Sequence, residues 1–147
     1  MKAMEKVLVT ALAAATLMTV LAAGAAAQVS NADLAAVPRV TQAEFKKLHA
    51  AKQILAIDVR DPHAFENGHI PGALNVSFVD VEIMANRLLK EPKPIVAYCA
   101  CKDEMTAARV AIQLMRVGVK NLRVLTGGWD GWTAGGGKVE LTPPPAR

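Results

Sequence analysis

The segment from Pro94 to Gly118 constrains this chain most. Pro94 opens the apolar run Ile95-Val96-Ala97-Tyr98, which ends at Cys99. A short continuous apolar run bounded by breakers reads as a strand buried on both faces. A helical pattern begins seven residues after Cys99. Ala107, Val110, Ala111 and Leu114 recur on one face, Arg109, Gln113 and Arg116 point elsewhere, and Gly118 is placed for the C-terminal cap. Strands alternating with such helices build a parallel sheet covered on both faces. In those sheets, ligands bind beyond the carboxyl ends of the strands, and Cys99 lies at one of those ends.

The rest of the chain supplies the partners this unit needs. Thr41-Gln42-Ala43-Glu44 has the spacing of a capping box and starts a short amphipathic helix through Phe45 and Leu48. Ile54 to Val59 reads as a buried strand, and Ala73 to Val76 as a short one. Asp61-Pro62 and Gly68-His69-Ile70-Pro71-Gly72 mark loops. Val79 to Lys90 is expected to be a helix with Val79, Ile83, Leu88 and Leu89 facing inward. Leu122 to Leu125 is a further strand, stopped by Gly127-Gly128, and Trp129 and Trp132 fall on a short last helix. Residues 28–37 read as a loose arm, and residues 135–147, with Gly135-Gly136-Gly137 and Pro143-Pro144-Pro145, as a flexible tail.

The apolar fraction of the chain, 52%, is high because of its front. Seventeen of the twenty-one residues from Val7 to Ala27 are apolar and none is charged. Lys2 and Lys6 precede them, and Ala25-Ala26-Ala27 leads into polar sequence. This is the pattern of a secretory signal peptide over residues 1–27, cut after Ala27, and it implies a periplasmic or secreted protein. Alanines and three threonines make the run weakly hydrophobic for a permanent span, so membrane contact is expected only if the leader stays uncleaved. No cysteine follows the run, which excludes a lipoprotein anchor. The remaining 120 residues, of ordinary composition, suffice for one domain. Their positive charges are scattered, which gives no reason to expect nucleic-acid binding.

Cys99 and Cys101 are the only cysteines. A thiol attacks as its thiolate, which needs positive potential nearby. A loop curling from a strand end to a helix N-terminus provides backbone N–H groups and the helix dipole. The stretch Cys99-Ala100-Cys101-Lys102-Asp103-Glu104-Met105-Thr106 has the length to curl around a sulfur atom or small anion, with Thr106 placed to cap the helix or turn its hydroxyl into the loop. The bland alternative is that Cys99 is a small buried apolar residue. The two cysteines lack zinc-site spacing, and His49, His63 and His69 suit surface or turn positions. A Cys99–Cys101 disulfide would close a small strained ring, so it is expected as a transient redox state rather than a resting bond.

Four segments in order resemble the rhodanese family of single-domain sulfurtransferases: Asp58-Val59-Arg60, Gly68-His69-Ile70-Pro71-Gly72-Ala73, Tyr98-Cys99, and Leu125-Thr126-Gly127-Gly128-Trp129 through Trp132. The resemblance covers about residues 38–134. It implies an α/β fold with a five-stranded, largely parallel sheet and helices on both faces. It implies that Cys99 is the nucleophile, taking sulfane sulfur from a donor such as thiosulfate or a persulfide and passing it to a thiol or cyanide acceptor, a protein thiol included. It implies no metal and no organic cofactor. His69, Asp58 and Arg60 are then structural groups, and Trp129 and Trp132 packing residues.

The loop departs from the usual rhodanese pattern, because Lys102 stands at the glycine position and Glu104 at the arginine position. Nearby carboxylates raise a thiol pKa and repel an anionic donor, unless Asp103 and Glu104 face solvent in the first helical turn. Cys101 is either a second sulfur-handling thiol or a spectator. A sulfurtransferase is the leading reading. A non-catalytic rhodanese-like module for partner binding or for redox or persulfide sensing stands second. A phosphatase or arsenate reductase stands third, since no arginine occurs between Cys99 and Ala108.

Overall fold

A computed structural model of the protein describes residues 28–142; the leader and the Pro143–Pro145 run lie outside the described residues. Five strands form one sheet: β1 (Arg39–Val40), β2 (Leu55–Asp58), β3 (Leu74–Asn75), β4 (Ile95–Tyr98) and β5 (Leu122–Leu125). Their order is β1-β5-β4-β2-β3, and every neighbouring pair is parallel. Parallel neighbours require crossovers, and six helices among the described residues supply them or flank them: α1 (Asn31–Ala36), α2 (Gln42–Ala50), α3 (Pro62–Glu66), α4 (Val81–Leu88), α5 (Met105–Arg116) and α6 (Gly128–Ala134). This is the expected α/β sheet, with β4 at its centre.

Two cores form because side chains alternate across each strand. Ile95, Ala97 and Cys99 face one side with Ile57, Leu122 and Val124, where α1, α4 and α5 pack. Val96 and Tyr98 face the other with Ala56 and Leu125, where Phe45 of α2, Phe65 of α3 and Trp132 of α6 pack. The terminus of β4 thus directs Cys99 toward α5 and Tyr98 toward α6.

Four expectations require correction. Residues 28–37 are no loose arm: Ser30 caps α1 in a reciprocal box with Asp33, and Leu34 and Val37 are buried. The Asp61-Pro62 breaker starts α3, with the Asp61 side chain accepting from the Ala64 N–H and Pro62 in the first turn. Residues 135–142 are not simply tail: Trp132 Nε1 donates to the Lys138 carbonyl, and His69 and Glu140 exchange backbone hydrogen bonds. The helix expected over 79–90 is α4, which begins at Val81 and buries Val81, Ala85 and Leu88. Val79 is 82% exposed, Ile83 76% and Leu89 47%. A helix starting two residues later turns Ile83 away, because i, i+4 and i+7 share a face and i+2 does not.

The α4 register has a direct test. Leu88→Ala should destabilise the protein by about 2–5 kcal/mol through the cavity it leaves. Ile83→Ala should stay within about 0.5 kcal/mol. Urea titration of both variants checks this, and similar losses would contradict the register.

Candidate active site

Asp58, at the end of β2, has no exposed surface. A buried carboxylate needs a charged, hydrogen-bonded partner, and Arg60 provides it two residues later. The Arg60 backbone N–H and Nε donate to Asp58 Oδ1 at 3.0 Å, and Nη2 donates to Oδ2 at 2.6 Å. Nη2 also donates to the Gly68 carbonyl at 2.6 Å, which fixes the turn before β3. Burial lowers the affinity of the guanidinium for its proton, but the Asp58 contacts outweigh it, so the Arg60 pKa is raised overall. The same carboxylate, after burial itself, pushes the Tyr98 phenol far above its ordinary pKa. Tyr98 therefore serves as a neutral acceptor for the Ile70 N–H at 3.1 Å.

Arg60 connects this pair to the cysteine loop. Its guanidinium lies 4.3 Å from the centroid of the Trp129 ring, a cation–π contact. The Trp129 backbone N–H donates to the Cys99 carbonyl at 2.8 Å. That approach depends on Gly128, which has a φ of 48°. A Cβ there would collide with the Cys99 carbonyl oxygen. Gln42 holds the glycine turn from below, its Nε2 donating to the carbonyls of Thr126 and Gly128 at 2.9 and 3.0 Å.

The loop itself runs from β4 to α5. Cys99 is buried, Cys101 and Glu104 are partly buried, and Ala100, Lys102, Asp103, Met105 and Thr106 are exposed. Met105 and Thr106 form the first turn of α5, which begins two residues before Ala107, and no side chain caps it. Thr106 thus does not fill the capping role proposed from the sequence. Glu104 takes the cap position, with φ 50° and ψ 19°. A left-handed conformation costs a side-chain-bearing residue about 1–2 kcal/mol. The contacts of its carboxylate offset this. Oε1 accepts from the Gly127 N–H at 2.8 Å, and Oε2 lies 3.6 Å from Arg39 Nε. Of the two placements open to the acids, Asp103 takes solvent. Glu104 takes neither, because it ties the cysteine loop to the glycine turn and to β1.

Among the described residues, the backbone N–H groups of Ala100 to Asp103 and of Met105 to Ala107 donate to no protein acceptor. Seven amides of one loop and helix start are therefore uncommitted beside the cysteines, a source of positive potential. The structure also joins Cys99 and Cys101 in a disulfide. This differs from the expectation of separate resting thiols. The loop bends at Ala100 and brings the two Cα atoms to 5.6 Å, inside the ordinary range for a disulfide.

His69 is buried in its turn, with Nδ1 2.9 Å from the Phe65 carbonyl, its ring stacked on Phe65 and Nε2 3.6 Å from Glu140. It supports the Gly68–Gly72 turn rather than the sulfur. Arg39, Gln42 and Glu140 support the site and were not identified from the sequence. Their partners Glu104, Gly128 and His69 lie 65 or more residues away, beyond the reach of local patterns.

If the Asp58–Arg60 pair anchors this assembly, Arg60→Ala should lower stability by about 3–5 kcal/mol, the penalty for stranding a buried carboxylate. Arg123→Ala, which breaks the exposed pair with Glu44, should cost no more than about 1 kcal/mol. Equal losses in chemical denaturation would contradict the assignment.

The parallel α/β sheet agrees with what comparison with known proteins finds. The family description "Rhodanese-like domain" matches residues 41–135. The chain is 33% identical over 101 residues to YqhL of Bacillus subtilis, covering 69% of this chain and 74% of that one. It is 30% identical over 96 residues to the thiosulfate sulfurtransferase GlpE of Coxiella burnetii, covering 65% and 87%. Among solved structures, RPA3614 of Rhodopseudomonas palustris, described as a possible tyrosine phosphatase, superposes with a TM-score of 0.66 at 26% identity, covering 75% of this chain and 89% of that one. By fold and by sequence, then, this chain belongs to the rhodanese-like domain family.

Proposed function

We propose that the protein is a sulfurtransferase in which Cys99, once reduced, is the nucleophile. The observation that carries this reading is the position of Cys99: it ends the central strand, beside uncommitted loop amides and the uncapped start of α5. A thiolate there gains from the helix dipole and from those N–H groups. It attacks the sulfane sulfur of thiosulfate and expels sulfite, leaving a Cys99 persulfide. A persulfide donor loses its thiol in the same way. Cyanide or a thiol then takes the outer sulfur and restores the thiolate. The loop amides stabilise the anionic persulfide as oxyanion-hole donors stabilise developing charge.

The acidic loop does not oppose this reading as the sequence suggested. The Glu104 carboxylate is engaged by Gly127 and Arg39, and Asp103 is exposed. The phosphatase reading, raised by one structural neighbour, has less support. Clamping a tetrahedral oxyanion needs an arginine in the loop, whereas Arg39 and Arg60 are engaged elsewhere and Arg109 is exposed on α5. The leader pattern supports a place of action outside the cytoplasm, where the two cysteines meet an oxidising environment.

Initial rates of the reduced protein with thiosulfate and cyanide should give parallel double-reciprocal plots. Cys99→Ala should lose about three orders of magnitude or more in rate. Intersecting lines, or a Cys99→Ala variant that keeps its rate, would sink the proposal.

A further inference from the structure

Both cysteines are held in place by bonds other than the one between them. The Trp129 N–H holds the Cys99 carbonyl at 2.8 Å, and the Glu104 N–H holds the Cys101 carbonyl at 3.2 Å. Glu104 is itself tied to Gly127 and Arg39. The backbone that brings the two Cα atoms to 5.6 Å is therefore anchored at both cysteines by contacts besides the disulfide. Neither contact involves sulfur, so reducing the disulfide removes neither, and both favour keeping the Cys101 sulfur near the Cys99 sulfur.

Building on the sulfurtransferase reading above, the geometry points to a second activity: Cys101 resolves the Cys99 persulfide internally and releases its sulfur as sulfide. The Cys101 thiolate attacks the inner sulfur, the Cys99 Sγ. The Cys99 Sγ to outer-sulfur bond breaks, and the outer sulfur leaves with the electron pair as hydrosulfide. The Cys99–Cys101 disulfide forms. The two thiols lose two electrons and the sulfane sulfur gains them, so this step needs no outside oxidant. Hydrosulfide is a better leaving group than an alkyl thiolate, because its acid is stronger than a cysteine thiol, and this favours the direction written. The bond that forms is the one the structure contains.

The product disulfide must then be reduced by an external dithiol, a small molecule or a protein. Its thiolate meets Cys101 more readily, because Cys101 is partly exposed while Cys99 is 3% exposed. Attack there expels Cys99 as the thiolate, beside the loop amides, and the dithiol closes to its own disulfide. The complete cycle converts thiosulfate and a dithiol into sulfite, sulfide and a disulfide. Cyanide and other acceptors compete with Cys101 for the same persulfide.

A single-turnover experiment tests this. The purified protein is reduced and freed of reductant. It is then mixed with thiosulfate or an aryl thiosulfonate with no thiol added. Sulfide, sulfite or sulfinate, and intact mass are followed together. The native protein should release one sulfide for each sulfite or sulfinate and end two hydrogens lighter. Cys101→Ser and Cys101→Ala should release the sulfite or sulfinate, gain one sulfur atom on Cys99, and give no sulfide until a dithiol is added. A native protein that keeps the sulfur adduct without releasing sulfide would overturn the internal resolution and leave the sulfurtransferase reading standing. So would Cys101 variants that release sulfide as the native protein does. No sulfite, sulfinate or adduct from either donor in any of the proteins would overturn both.

Discussion

The buried carboxylate of Asp58 is the constraint on which the site depends. A charge with no exposed surface has to be matched, and the match is Arg60, which donates to it from backbone and side chain. Everything next in line follows from where that guanidinium lies. It holds the Gly68 carbonyl, and hence the turn that carries His69 and Ile70. It stacks on Trp129, whose backbone N–H fixes the Cys99 carbonyl. The ion pair itself is not proposed to take part in the chemistry. It positions the loop in which the chemistry takes place, which is where a buried pair earns its desolvation.

A second set of contacts closes the loop from the opposite side. Gly128 lets α6 approach the end of β4, Gln42 secures the glycine turn, and Glu104 spans from the start of α5 to Gly127 and Arg39. Glu104 bears on the electrostatics as well as the geometry. A free carboxylate five residues from a nucleophilic thiol would oppose ionisation. One that accepts a backbone N–H and faces a guanidinium opposes it far less, while the amides around the cysteines favour it.

Much of the fold was legible because its signals are local. The run 95–98 and the apolar face of 107–114 specify a buried strand and the helix that covers it. Asp58, Cys99 and the double glycine lie in short segments that keep their order. What was missed divides by cause. Ser30 and Asp33 form a capping box that went unread because the helix it starts has only six residues and buries one of them, Leu34. The inward face of α4 was misjudged because Val79 and Ile83 outrank Ala85 in apolarity, although it is Ala85 that packs into the core. The part played by Glu104 was out of reach, since both partners of its carboxylate are distant in the chain. The disulfide was underrated because a separation of two residues argues for a strained ring, whereas the bend at Ala100 sets the Cα atoms 5.6 Å apart, a distance at which disulfides ordinarily occur.

The sulfurtransferase proposal requires the loop to make Cys99 a reactive thiolate despite its acidic residues. The direct measurement is the rate of Cys99 alkylation by iodoacetamide against pH, in a reduced Cys101→Ser variant so that one thiol reports. The midpoint should lie below the ordinary cysteine value of about 8.5. A midpoint at or above that value would mean that burial and the carboxylates outweigh the loop amides and helix dipole, and that the loop does not activate Cys99.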